Sequence, residues 1–150
     1  MADYNSTPLK PARDIAPPPG WRQSEQFDPF EAHLGPFFDR IRDGRREFAI
    51  LIDDRHTNAQ GVAHGGALLT FADACFGYAI WDATDRSPCV TVSQQSNFMA
   101  SAAAGDLVSC LPDITRKTRE IVFIRGDFCV TDRVVFTATA IWKIWPKAIA

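Results

Sequence analysis

The chain has 150 residues, 46% of them hydrophobic, and a formal net charge of -2. That length and apolar share support one domain with a real core, and the near-neutral charge gives no sign of nucleic-acid binding. No stretch approaches the roughly 20 apolar residues that span a bilayer, and residues 1–20 lack an apolar signal core, so no membrane partner and a cytoplasmic location are expected.

Pro8, Pro11, Pro17, Pro18 and Pro19 mark residues 1–26 as a Pro-rich arm, extended or loosely packed, ahead of a domain over 27–150. Asp28 suits a helix cap, Pro29 a first helical turn, and Leu34-Gly35-Pro36 a stop, which predicts a short helix followed by a turn. Gly44 opens a strand predicted over 46–54. A loop over 55–64 leads into a helix from Gly65 to about Asp82. Leu68, Leu69, Phe71, Ala72, Cys75, Phe76, Ala79 and Ile80 cover nearly all its faces, the pattern of a helix wrapped by other structure. Arg86-Ser87-Pro88 breaks it.

Four strands are predicted next, over 89–99, 106–116, 120–131 and 133–145; their short connections predict antiparallel neighbours. The fold class is therefore α+β: one strongly curved antiparallel sheet around one long central helix. Cys75, Cys89, Cys110 and Cys129 form no CxxC pair and sit among apolar neighbours, as reduced core residues do. His33, His56 and His64 lack ligand spacing, and no metal site is expected.

The chemistry concentrates at Asn58, His64, Gly65 and Gly66, ahead of an apolar run that carries one acid, Asp73. Taken singly, Asp73 reads as a structural acid, His64 as a cap, the glycines as tight packing and Asn58 as a turn residue. Together they offer a carboxylate that attacks a carbonyl or activates water, and helix N-terminal amides that stabilise an oxyanion. Those are the parts of acyl transfer to water; there is no GxSxG for a serine mechanism. Asp73 stands roughly two helical turns, about 10 Å, from the helix start. One chain does not easily join that acid to its own first amides. Two such helices packed antiparallel do, and this predicts a two-fold dimer in which Asp73 lies near the partner's Gly66 amide.

The segment Asn58-x-x-Gly61-x-x-His64-Gly65-Gly66-x6-Asp73 resembles the active-site segment of hotdog-fold acyl-CoA thioesterases, in the phenylacetate-pathway (PaaI-like) branch of the 4-hydroxybenzoyl-CoA thioesterase superfamily. "FEAHLGPFF" at 30–38 and "VTVSQQSNFMASAAAGDLV" at 90–108 are similar to the short helix ahead of the first strand and to a later strand with its Gly-Asp turn. The resemblance covers roughly 27–145. It implies a hotdog fold, a homodimer with continuous sheets and often a homotetramer of two dimers. It also implies hydrolysis of an acyl or aryl-acyl coenzyme A, with coenzyme A part of the substrate and no cofactor. Asp73 would be nucleophile or general base, Gly66 the oxyanion donor, Asn58 and His64 supports, and Thr91 the residue that holds a water beside the acid. Gly65, Phe98, Arg116, Lys117 and Arg119 would contact substrate, the three basic residues near the coenzyme A phosphates; their bland reading is a solvated charged turn. Thr118 and the turn over 131–133 depart from the glycines common there. Phe71, Phe76, Tyr78, Trp81, Phe98 and Met99 read either as an acyl pocket or as core. The competing functions are a non-catalytic acyl-CoA-binding hotdog domain, a hydroxyacyl-thioester dehydratase and an assembly protein.

Overall fold

A computed structural model describes residues 7–145; residues 1–6 of the arm and 146–150 lie outside it. In chain order the elements are β1 (Arg22–Gln23), α1 (Pro29–Leu34), β2 (Phe37–Arg42), β3 (Arg45–Leu51), α2 (Gly65–Ala83), β4 (Cys89–Phe98), β5 (Leu107–Cys110), β6 (Asp113–Lys117), β7 (Ile121–Val130) and β8 (Arg133–Ile144). A single 3-10 turn, Asp54–His56, leads from β3 toward α2. The strands form one antiparallel sheet in the order β1-β2-β3-β5-β7-β8-β4, with β6 also paired to β7.

The long helix lies where its sequence demanded. It packs on β3, β4, β7 and β8, and its Phe71, Ala72, Cys75, Phe76 and Ile80 are fully enclosed. Aromatic edges lock it to the sheet: Phe71 meets Phe37 at 5.3 Å and Phe128 at 5.7 Å between ring centroids, and Phe76 meets Phe128 at 6.1 Å. Burying several such side chains at about 1.5–3 kcal/mol each supplies the main drive for wrapping the sheet around the helix. The cysteines are free, two of them buried among these rings.

Three details differ from the sequence reading. Residues 37–42 are a strand, not a turn. They form a hairpin with β3 through Asp43-Gly44, both with positive φ (51° and 72°), so Gly44 completes a turn rather than opening a strand. The strand predicted over 106–116 breaks into β5 and β6 around Leu111-Pro112, where proline has no N–H for the ladder. The first of the four late strands, β4, does not neighbour the second. It pairs with β8 at the far edge of the sheet, and the 99–106 connection returns across the fold to β5.

The described part of the arm lies against the domain. Leu9 N–H donates to Gln26 O and Ala12 N–H to Ala32 O, both at 2.7 Å; Arg13 pairs with Asp54 at 2.6 Å, and β1 joins the sheet edge beside β2.

Candidate active site

Within one protomer the candidate residues form two groups, one at the start of α2 and one around Asp73 in its middle. The loop over 57–63 is tied by Asn58: its N–H donates to Val62 O at 2.8 Å, and its Oδ1 accepts from Gln60 N–H at 2.9 Å and Val62 N–H at 3.4 Å. Asn58 thus holds the loop that delivers His64 to the helix start. Behind it, the buried His56 accepts Asp53 N–H at Nδ1 (3.0 Å) and donates from Nε2 to Leu34 O (2.7 Å). Those two bonds set its tautomer, and burial holds the imidazole below its ordinary pKa. His56 also accepts His64 N–H at its carbonyl, so a histidine without ligand spacing proves to be the anchor of the loop.

His64 is the N-cap of α2. Its Nδ1 accepts the Gly66 N–H at 2.9 Å, which leaves Nε2 as the protonated, solvent-facing nitrogen. The neighbouring Gly65 N–H has no partner among the described residues. Phe98, at the end of β4, covers Gly65 so closely that a Cβ there would sit 3.0 Å from the phenyl ring. The two glycines therefore keep the helix start bare and close to an exposed aromatic face.

Two turns on, Asp73 is half-buried. Thr91 donates its hydroxyl to Asp73 Oδ1 at 2.5 Å, while Oδ2 has no hydrogen bond among the described residues. Burial raises the Asp73 carboxyl above the ordinary carboxylate range, against the lowering effect of the Thr91 bond, and Asp28 adds like-charge repulsion. Thr91 stands at a β-bulge: β4 slips register against β8 between Thr91 and Ser93.

A pocket of ≈ 70 Å³ opens beside Asp73, lined among others by Asp28, Glu31, Gly77, Tyr78 and Trp142. Asp28 occupies the N-cap of α1 but makes no side-chain cap bond. Glu31 accepts the Tyr78 hydroxyl at 2.6 Å. Desolvation is the first cause that pushes Glu31 up to about 7, with Asp28 and Asp73 adding to it.

The basic turn is elsewhere on the protomer. Lys117 Nζ donates to Ala83 O at 3.0 Å, at the C-terminal end of α2, and Arg116 and Arg119 are exposed nearby. Thr118 organises that turn in place of a glycine, its hydroxyl accepting from Ile121 N–H at 2.9 Å. Of the six apolar candidates, Phe71, Phe76, Tyr78 and Trp81 are buried, and Phe98 and Met99 are 55% and 62% exposed. The sequence reading passed over Glu31, whose short helix carries no periodic signal of burial. No group of His, Cys, Asp or Glu among the described residues has the geometry to hold a metal.

The family profile described as "Thioesterase superfamily" matches residues 60–137, the span that holds His64, the glycines, Asp73 and Thr91. The chain belongs to the thioesterase superfamily. It is a thioester hydrolase with a PaaI-like hotdog fold. It is 31% identical over 130 residues to the candidate esterase PA0474 of Pseudomonas aeruginosa, covering 85% of this chain and 96% of that one. A single-residue mutant of the phenylacetic acid degradation protein PaaI of Thermus thermophilus has the same fold at a TM-score of 0.68 and 24% identity, over 79% of this chain and all of that one. A hypothetical thioesterase protein of Streptococcus pneumoniae, solved with coenzyme A, aligns at a TM-score of 0.67 and 20% identity over 73% of this chain and 86% of that one. As a hotdog thioesterase, this chain builds its helix start from His64 and two bare glycines, and its lone helix acid is held by a strand hydroxyl.

Proposed function

We propose that this thioesterase hydrolyses acyl-coenzyme A in the cytoplasm as a symmetric homodimer, two of which join into a tetramer, with Asp73 as the base or nucleophile. The observation that carries the reading is the state of Asp73: a half-buried carboxylate, one oxygen held by Thr91 and the other unengaged, its basicity raised by burial. Oδ2 is the oxygen that takes a proton from water or attacks the thioester carbon. Attack forms the new C–O bond, the electron pair moves to the carbonyl oxygen, and collapse breaks the C–S bond to release the coenzyme A thiolate; where Asp73 is the nucleophile, water then cleaves its mixed anhydride to release the acid and restore the carboxylate.

The oxyanion needs donors, and the α2 N-terminus of a second subunit supplies them. Gly66 N–H reaches it only by sharing its bond with His64 Nδ1, whereas Gly65 N–H is unpartnered among the described residues, so Gly65 is the primary donor and Gly66 the second. The exposed His64 Nε2–H then stands ready to orient the thioester carbonyl. Support for the two-fold comes from β4. It is the last strand of the sheet, ten residues long, and its Val90 and Val92 are exposed, with Leu69 of α2 beside it. Soluble proteins seldom leave such an edge bare. Pairing β4 with its symmetry mate sets the two α2 helices antiparallel.

In that arrangement the basic turn falls on the coenzyme side. Ala83, which holds Lys117, is ten residues past Asp73, about 15 Å along the axis. A pantetheine arm spans that distance, so Arg116, Lys117 and Arg119 meet the phosphates. A panel of acyl-coenzyme A thioesters, scored by thiol release for the native chain and for Asp73→Asn, tests this reading. Turnover by the native chain and its loss in the variant support it. Full activity in Asp73→Asn removes Asp73 from the mechanism.

A further inference from the structure

Arg55, in the 3-10 turn that leads to the His64 loop, is a side chain the chemistry above does not use. α1 is six residues long and ends at Leu34, so its last carbonyls have no helical partners. Arg55 collects them: Nη1 donates to His33 O at 2.7 Å, and Nη2 to Gly35 O at 3.0 Å and Leu34 O at 3.5 Å. Asp53 grips the guanidinium from its other edge, accepting from Nε at 3.1 Å and from Nη2 at 2.8 Å. Only 22% of the side chain is exposed, so water competes weakly for these bonds. The buried His56 beside it adds its own bond to Leu34 O and, through its carbonyl, holds His64 N–H at 2.7 Å.

These bonds close a frame around the helix start. Glu31 on Tyr78 ties α1 to α2 beyond Asp73, and Arg55 with His56 ties the end of α1 to the residue that caps α2. A second hold on the loop is Ala63 N–H on Ala102 O at 2.7 Å, which fixes it against the 99–106 connection. The Arg55 clamp fixes it against α1. Three successive carbonyls suit the planar fork of a guanidinium and not the point charge of an ammonium. Arg55 makes no bond to His64, Gly65, Gly66 or Asp73 among the described residues, so whatever it contributes passes through the turn it holds. Arg13 stands 3.4 Å from Asp53 as well, and loss of Arg55 does not leave that carboxylate without a cation.

On the proposed site shared by two subunits, on which this inference rests, we infer that Arg55 is a positioning residue for the hydrolysis: by clamping the end of α1 it fixes where the Gly65 and Gly66 amides of its own chain stand at the Asp73 of the other. Oxyanion donors act only when held within about 0.5 Å of the productive geometry. A misplacement of about 1 Å costs about 10²-fold in rate. The donors meet charge that develops in the transition state, so the loss falls on kcat and leaves KM nearly unchanged.

Arg55→Met and Arg55→Lys test this, with the acyl-coenzyme A of the panel that the native chain hydrolyses fastest. In Arg55→Met kcat is expected to fall about 10–100-fold, and by less in Arg55→Lys, with KM within about twofold of native. Arg55→Met is then mixed with Asp73→Asn and, separately, with Gly65→Pro, and the subunits are allowed to exchange; Asp73→Asn with Gly65→Pro is the control. The Arg55 and Gly65 lesions lie in the same half of the site. The mixture with Asp73→Asn should therefore rise to about one quarter of native activity per subunit, and the mixture with Gly65→Pro should not exceed the mean of its parents. A residue that only holds the fold together damages both halves and gains in neither mixture. If Arg55→Met fails to fold, Arg55→Lys carries both readouts. Native kcat in both variants, no gain with Asp73→Asn while the control recovers, or a gain with Gly65→Pro overturns the inference and leaves the shared site intact. A control that stays inactive after confirmed exchange overturns the shared site and the inference with it.

Discussion

Thr91→Val is the sharpest perturbation of the site chemistry. Valine keeps the β-branched shape that β4 needs and deletes only the hydroxyl bonded to Asp73 at 2.5 Å. That bond lowers the Asp73 pKa, whereas burial and Asp28 both raise it. A hydrogen bond to a charged group is worth about 1.5–3 kcal/mol, and the lower end suits a half-buried carboxylate. Without that bond the Asp73 pKa rises further in the variant. The base works only when ionised, so the acid limb of the kcat/KM profile moves to higher pH. On that limb the rate falls roughly tenfold, and it recovers as pH rises past the new pKa. Thiol release measured across the acid-to-neutral range reads this directly. An acid limb that stays put, or moves to lower pH, refutes the assignment of that limb to Asp73 and the role given to Thr91.

Gly65→Pro removes the unpartnered N–H at a helix position that favours proline, and His64 before it is already extended (ψ 136°). The new ring displaces the exposed Phe98 side chain, 3.0 Å from the added Cβ, so Gly65→Ala, which moves Phe98 but keeps the N–H, is the control; kcat should drop about 10²–10³-fold further in the proline variant, and equal turnover in the two removes Gly65 as the oxyanion donor. Glu31 links pH to stability. Its carboxyl, raised from 4.5 to about 7, favours the folded state when protonated. Its contribution, on the order of 3 kcal/mol, is therefore complete below 4.5 and lost as pH rises through about 7. Urea unfolding of Glu31→Gln should show a flatter decline over that window than the native chain, and an identical decline contradicts the burial argument. Gly126→Ala places a Cβ 2.5 Å from Cys110 Sγ and 3.2 Å from the Phe76 ring. Such overpacking costs about 1–3 kcal/mol, seen as a lower unfolding midpoint, and an unchanged midpoint means that this side of the core yields.

The long helix was legible because its apolar residues leave no face for water, and only a wrapped helix tolerates that. The hairpin at 37–51 was not. Gly35-Pro36 reads as punctuation, Phe37 and Phe38 are both buried and so show no alternation, and the Asp43-Gly44 turn was the usable signal. Pro112 likewise announced a strand break that the surrounding apolar residues masked. At the site, Asp73, His64 and the glycines stood out as polar or bare residues against an apolar run. Thr91 came only through family resemblance, since a threonine in a strand is ordinary until its hydroxyl is seen on a carboxylate. Glu31 was invisible for a related reason: its burial depends on Tyr78, 47 residues away, and no local pattern carries that contact.

The central claim is a site shared by two subunits, with Asp73 from one and the start of α2 from the other. Mixing inactive Asp73→Asn and inactive Gly65→Pro subunits tests it most directly. In a mixed dimer one site carries both lesions and the other carries neither. Random exchange should restore about one quarter of native activity per subunit, from half of the dimers with one intact site each. A mixture as inactive as its parents after confirmed exchange would contradict a shared site and return Asp73 and Gly65 to the same chain.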